Sequence, residues 1–565
     1  MDRNAFLALL FSLIVFMLWT QWQAVRFGDG APPPGMEGAP ETVPAPEPRA
    51  EARPLSPALE PEAAPPAPRV VDDTVPGQRI TVETALYTAE LTTRGGALTR
   101  WELTRYLDKS LKPERNVVLT TLDAETESAL YTPFVELGLG DLRSAVYRVE
   151  RPSSTSVVFT RDDRGFRIRK IYEFLEDSYD FRLRLEVENR SQATVAPAFE
   201  VVWPSGKQES TDFADHMLIA LHGEDVEREA LERLGSPGFF SSGPFVPPLF
   251  DGQVDWAGAE SRYFVSVLMP QPPREAVATF EPVRIGEFAI TRIGYRPFPI
   301  GPGQSVAREF RGYIGPKELD RLAEAGAQLE RSVDLGWSFI APVTRLFGWL
   351  LRAFYNVIPN YGVAIILITI LVKILTAPLT HKSLKSMQGM AALQPKMKEI
   401  QEKYKDDRQK QSEELMKLYR EGGANPIAGC LPMLLQFPFF IGLYYALRST
   451  ISLRQAPFFG WIQDLSLPEA LFVIPGIDLP VRVLPLIMGA SMVLSQRMTP
   501  TTMDPAQARM MNTVMPVMFT VLFYQFASGL VLYWLVNNLL QIGQQVYMNR
   551  KREQSQSGAK AKSKG

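Results

Sequence analysis

A lysine embedded in a strongly apolar run is the first residue whose chemistry calls for an account. Lys373 lies within Ile365-Ile-Leu-Ile-Thr-Ile-Leu-Val-Lys-Ile-Leu375, and a cation near mid-membrane costs roughly 2.5–3.5 kcal/mol on insertion scales. Such a group normally faces a wet cavity, where it attracts anions. The alternative is that its ammonium extends to the nearer membrane surface, just beyond Pro378. The cavity reading is preferred because polar groups recur in other apolar segments. Trp534, Asn537, Asn538, Gln541, Gln544 and Gln545 fall at helical spacing and form one polar stripe, which would be costly against lipid. Gln436 in Pro432-Met-Leu-Leu-Gln-Phe-Pro438, Gln496, and Thr369 one turn before Lys373 add further polar atoms. Together these residues suit the holding of a polar or acidic segment by charge and hydrogen bonds, with no covalent bond made or broken. Ordinary interhelical hydrogen bonding, about 0.6 kcal/mol each, explains one such amide better than amides on several helices.

Bond-making chemistry has little support. The chain holds three histidines, His216, His222 and His381, and one cysteine, Cys430, which lies in an apolar run and reads as a packing residue. No Gly-rich nucleotide loop, zinc-binding His-Glu-x-x-His or serine elbow occurs, so no cofactor or metal is expected. His216 and His222 read as structural or solvated rather than as part of a sugar site. A net charge of −2 argues against DNA as a partner.

The elements that must position these residues divide the 565-residue chain. The run Ala5 to Trp19, extended to Trp22, reaches the roughly 17-residue minimum for a span. It is an uncleaved anchor over 1–24 or a signal peptide, and the absent cleavage motif favours the anchor. Residues 25–78 are rich in Pro, Ala and Glu and read as a disordered linker. Short alternating runs then begin: Tyr87 to Leu91, Ser156 to Thr160, and Phe181-Arg-Leu-Arg-Leu-Glu-Val187, where the apolar and charged residues take opposite faces of a strand. Residues 79–335 are expected to form an all-β sandwich closed by a helix from Lys317 to about Ser332. Residues 336–358 read as an amphipathic helix in the membrane interface.

Five further spans are expected at about Tyr361 to Pro378, Pro426 to Leu447, Val481 to Met498, Met511 to Phe526 and Gly529 to Tyr547, making six with the anchor. Residues 380–423 read as a helical hairpin broken at Asp406-Asp407. Its lysines, among them Lys382, Lys396, Lys403 and Lys410, place that loop in the cytoplasm. Both termini are then cytoplasmic and the β-domain lies outside. Met498, Met503, Met510, Met511, Met515 and Met518 are adaptable apolar surface or plain packing. The basic tail 550–565 can meet anionic lipid or ribosomal RNA, or serve only as a topology signal.

Several motifs resemble the YidC/Oxa/Alb insertase family, Gram-negative type: Gln394-Pro-Lys396, Asn425-Pro-Ile-Ala-Gly-Cys-Leu-Pro432, Gln436-Phe-Pro438, Leu453-Arg-Gln-Ala-Pro-Phe458 and Ser528-Gly-Leu-Val-Leu-Tyr-Trp534. The resemblance is thinner in the β-region, at Arg94-Gly95-Gly96 and Val333-Asp-Leu-Gly-Trp337. It implies an α-helical membrane protein with six transmembrane helices, a five-helix insertase core over 359–549, and an all-β periplasmic supersandwich domain. It further implies a membrane protein insertase or chaperone in the bacterial inner membrane, with a groove in which a cation draws in the acidic tail of a nascent inner-membrane protein. Lys373, Thr369 and Trp534 fall at the implied groove positions, with Gln436, Gln496, Asn538 and Gln541 supplying further polar atoms and Gln394, Pro395 and Lys396 marking the hairpin. The family usually carries arginine where this chain has Lys373, which removes the bidentate fork. The Sec translocon (SecYEG and SecDF) and the ribosome are implied partners. A secondary transporter or channel is the alternative, although such folds usually show inverted repeats and paired ionisable groups.

Overall fold

The computed structural model describes residues 76–111, 113–120, 122, 128–208, 210–236, 245–405, 407–422, 431–498 and 510–562. The expected anchor, nearly all of the linker, Cys430, Met503 and the start of the expected third span lie outside the described residues, as do the side chains of most of the basic tail.

The alternating runs form strands as expected. In β8 (Asp180–Asn189) Phe181, Leu183, Leu185 and Val187 are fully buried while Arg182 and Arg184 face solvent. This strand is central to a nine-stranded antiparallel sheet in the order β11 (Asp225–Ala230), β10 (Met217–His222), β13 (Val254–Glu260), β14 (Phe264–Gln271), β17 (Ser305–Pro316), β8, β7 (Phe166–Phe174), β6 (Ser156–Asp163) and β5 (Arg148–Glu150). The facing layer combines the sheet β1 (Arg79–Glu83), β2 (Tyr87–Thr92), β3 (Ala97–Asp108), β4 (Arg115–Val118) with the sheet β12 (Leu249–Asp251), β15 (Ala276–Arg284), β16 (Phe288–Tyr295), β9 (Val201–Gly206). Bridges from Leu98 to Ala129 and from Tyr131 to Val202 join them through the intervening segment. The result is a two-layer sandwich filled by one contiguous core. At its centre Trp101 stacks on Tyr87 at 4.0 Å and lies 5.7 Å from the Phe181 ring.

The expected helix from Lys317 to Ser332 is broken in two. Pro316 ends β17 instead of opening a helix, and Lys317 turns inward to bind the Glu260 carboxylate at 2.7 Å. Helix α1 (Leu319–Ala325) stops at Gly326, whose φ of 73° suits a residue without a Cβ. A short 3-10 turn, Leu329–Ser332, resumes the path and buries Leu329.

His216 is half-buried with its Nδ1 sealed from solvent and unpartnered. It lines a small cavity with Trp203, Ser205 and Glu260. Burial pushes its pKa down to about 4, against a smaller opposing pull from the Glu260 charge. The native state therefore favours neutral His216, while the unfolded chain takes up a proton near pH 6.5. Stability is full above that pH and falls as the pH drops from about 6.5 toward 4, on the order of 1–2 kcal/mol by pH 5. Urea unfolding of the full chain at pH 7 and pH 5 should show this loss, and His216→Phe should reduce it. An equal loss in the variant would assign the pH dependence elsewhere.

Beyond the sandwich, α2 (Ala341–Val357) precedes α3 (Tyr361–Lys403), whose first turn is capped by Asn360 accepting from the Val363 amide at 3.1 Å. The 361–383 stretch of α3 is the one described helical segment long and apolar enough to cross a membrane, with mean hydropathy 2.4. Helix α3 does not end at Pro378 but carries on as the first arm of the expected hairpin. This helix ends at Lys403, and Asp407 caps the second arm, α4 (Arg408–Glu421), with Asp406 of the expected break outside the described residues. Then come α5 (Leu431–Ser449), α6 (Val483–Met498), a π-helical turn Met510–Val514 running into α7 (Met515–Phe523), and α8 (Ser528–Lys562). The expected fifth span is thus a shorter α-helix than its apolar run suggested. The last one continues without interruption through residues 550–562 of the tail. Between α5 and α6 stands an unexpected two-stranded hairpin, β18 (Phe472–Ile474) and β19 (Leu479–Val481).

Candidate functional site

Helices α3 and α8 pack side by side and bring the in-span lysine onto the amide stripe. The Lys373 ammonium donates to Gln541 Oε1 at 2.6 Å and more weakly to Asn537 Oδ1 at 3.4 Å. The two acceptors are four residues apart on α8, so helical geometry alone sets them on one face. Both are neutral amides, and among the described residues no carboxylate pairs with Lys373. The charge is thus held in place without being compensated. A half-buried ammonium in that condition can exchange an amide for a carboxylate and gain charge-assisted hydrogen bonds.

The single polar stripe expected on α8 is in fact two. Asn537 and Gln541 face α3, whereas Asn538 donates to Ser491 Oγ at 3.2 Å and Gln545 to the Met498 carbonyl at 3.1 Å, both on α6. A step of one residue turns the side chain by about 100°, and adjacent amides therefore serve different neighbours. Asn538 fastens α8 to α6 and does not reach Lys373.

Of the other expected residues, Gln436 on α5 donates to the Tyr533 hydroxyl at 3.3 Å. Trp534 is half-buried and meets Phe440 edge-on at 5.0 Å, with Phe523 at 5.1 Å and Phe519 at 5.8 Å. Seven residues before Gln541, it falls on the same side of α8 by helical spacing. Thr369 is buried and its hydroxyl donates to the Ile365 carbonyl at 2.7 Å, satisfied within its own helix. Gln496 has an Oε1 sealed from solvent without a partner. Gln394, Pro395 and Lys396 lie on the distal part of α3, away from this cluster, with Pro395 and Lys396 exposed. Tyr533 is the partner that the sequence reading passes over, and Asn537, although part of the stripe, was not among the implied groove residues. Their signal was helical spacing from Gln541 and the neighbouring Trp534.

The membrane protein insertase YidC of Pelobacter propionicus is 37% identical over 563 residues, covering 97% of this chain and 99% of that protein. The chain belongs to the YidC family of membrane protein insertases. The corresponding protein of Syntrophus aciditrophicus is 36% identical over 571 residues, covering 97% of this chain and 100% of that one. The YidC periplasmic domain family matches residues 79–350, and the 60Kd inner membrane protein family matches residues 353–556. A crystal structure of an active YidC insertase with its first transmembrane domain resolved is 18% identical with a TM-score of 0.36, covering 82% of this chain and 91% of that one. As a YidC-family member the chain is an inner-membrane insertase with a periplasmic β-sandwich domain and a C-terminal helical region, and it is not an enzyme. Its substrates are nascent membrane proteins, and the transporter or channel alternative is set aside.

Proposed function

We propose that the Lys373 cluster is where the polar end of a substrate is received during insertion. The observation that carries this reading is a cation within an apolar helix held, among the described residues, by two neutral amides. An acidic residue of the substrate displaces Gln541 or Asn537 and pairs with the ammonium, which offsets the roughly 2.5–3.5 kcal/mol that an aspartate would otherwise face at mid-membrane. Trp534 falls on the same side of α8 as Gln541. Gln436 and Gln496 keep the surrounding seams polar, so that a short hydrophilic segment keeps hydrogen-bonding partners as it crosses, while Asn538 holds α8 to α6 and Thr369 keeps its hydroxyl on its own helix.

The substrate's apolar segment leaves along helix faces that already present bare hydrocarbon, including Leu371, Ile374 and Leu375 on α3. Burial of that segment in lipid supplies the driving force. In this scheme six spans cross the membrane, both termini and the Gln394-Pro395-Lys396 hairpin lie in the cytoplasm, and the basic end of α8 meets the ribosome or anionic lipid. The chain inserts its substrates alone or together with the Sec translocon.

The purified chain in lipid vesicles should insert a small single-span substrate with no nucleotide present. Insertion that proceeds only with stoichiometric ATP hydrolysis by this chain would sink the scheme.

A further inference from the structure

The β18–β19 hairpin is apolar on both faces. Its register pairs Phe472 with Val481, Val473 with Pro480 and Ile474 with Leu479. Neighbouring residues of a strand point to opposite faces, yet Phe472 and Val473 are 54% and 49% exposed, and Ile477 in the turn is 67% exposed. A hairpin standing in water normally gives at least one face to polar side chains. Here, from Leu471 to Val481, Asp478 is the one charged residue.

The base is rigidly held. Glu469 is buried and accepts from Trp461 Nε1 and from the Leu484 amide, both at 2.7 Å, which ties the hairpin's approach to the start of α6. On the returning side, Arg482 donates to the Tyr524 carbonyl and lies over its ring at 5.0 Å, while the Tyr524 hydroxyl donates to the Pro480 carbonyl. An arginine and a tyrosine clasped together suit the boundary between hydrocarbon and water.

The end of the helical region to which the hairpin belongs is fixed by contacts. The loop between α5 and α6 touches the β-sandwich, where Arg454 and Gln455 donate to the Leu107 carbonyl. The same loop holds the start of α8, where the Ser528 amide donates to the Leu467 carbonyl at 2.8 Å. The hairpin therefore sits at the β-sandwich end. Its apolar surface leads into the outward-facing Leu486 and Ile487 of α6, which belong against lipid if α6 is a span.

We propose that residues 471–481 form a lipid-binding hairpin that beds into the interfacial layer of the leaflet on the β-domain side. The occupant is phospholipid, at the level of glycerol and the first acyl carbons. Unpaired strand edges keep it there, because bare N–H and C=O groups are tolerated in the hydrated headgroup layer and not in the hydrocarbon interior. The inference rests on the membrane orientation given above.

The test uses the full chain in phosphatidylcholine–phosphatidylglycerol vesicles, with Cys430→Ser and one environment-sensitive fluorophore on a cysteine placed by Val473→Cys. Two controls carry the label at Leu375, on the outward face of α3, and at Val135, exposed on the sandwich. The expected result at 473 is blue-shifted emission, strong loss of signal with nitroxide lipids labelled near the headgroup, and weaker loss with deep-labelled ones. Emission matching the label at Val135, open to aqueous iodide and indifferent to nitroxide lipids, would overturn the proposal. Shielding from iodide and lipid quenchers alike would also overturn it, by showing that protein covers the hairpin. Failure of deep nitroxide to quench at Leu375, with quenching kept at 473, would count against the span and not against the hairpin.

Discussion

Replacing Asn537 and Gln541 together with leucine is expected to cost the helical region about 3 kcal/mol and to lower insertion at least tenfold, because the Lys373 ammonium is then left without its acceptors. A buried polar group stripped of partners costs about 1–3 kcal/mol, and more when charged. Both acceptors come from one helix face, at 2.6 and 3.4 Å, so water entering from the side is the remaining source of hydrogen bonds. Adding Lys373→Leu to the pair should restore stability, since no charge then remains to be satisfied. It should not restore insertion of substrates with acidic tails. Stability is read from thermal unfolding in detergent and insertion from protease protection of the substrate tail. A triple variant as unstable as the double one would show that the amides matter for packing against α3 and not for holding the cation.

The second large effect lies in the sandwich. Trp101 is fully buried, stacked on Tyr87 at an interplanar angle of 16° and bordered by Phe174 and Phe181 from the facing sheet. Trp101→Ala leaves a cavity that these rings cannot fill, and large aromatic truncations of this kind cost about 3–5 kcal/mol. The expected outcome is a lower urea midpoint for the β signal of the full chain, with Trp101→Phe losing less than half as much. Equal midpoints in wild type and Trp101→Ala would mean that the two layers are not held by this aromatic cluster.

The strands were legible in the sequence where one face is wet and the other dry. Phe181, Leu183, Leu185 and Val187 alternate with charged residues, and the period of two leaves little choice of element or face. The hairpin at 472–481 escaped the same reading because both of its faces are apolar, so nothing alternates and the run merges with the helix that follows. Helix α1 was drawn too long because Gly326 was not taken as a stop, although a glycine after an apolar periodic segment is a helix C-terminal signal.

Within the candidate site, Lys373 stood out on composition alone, since few residue types are as costly in such a run. Its partners were less legible. Asn537 and Asn538 are the same residue type at adjacent positions, and only the packing of α8 between α3 and α6 decides that one meets the lysine and the other meets Ser491. Thr369 was placed beside Lys373 by periodicity, yet its hydroxyl turns back to its own helix. Such back-bonding cannot be told from outward presentation by spacing.

The central claim is that the Lys373 charge receives an acidic segment of the substrate. The most direct measurement is insertion of two single-span substrates, identical except for an acidic or a neutral translocated tail, into vesicles carrying the wild-type chain, Lys373→Ala or Lys373→Arg. A loss of tenfold or more for the acidic tail in Lys373→Ala, a smaller loss for the neutral tail, and near wild-type insertion of both in Lys373→Arg is the predicted result. Full insertion of the acidic tail by Lys373→Ala would contradict the claim and leave Lys373 as a residue that merely extends its ammonium toward the membrane surface.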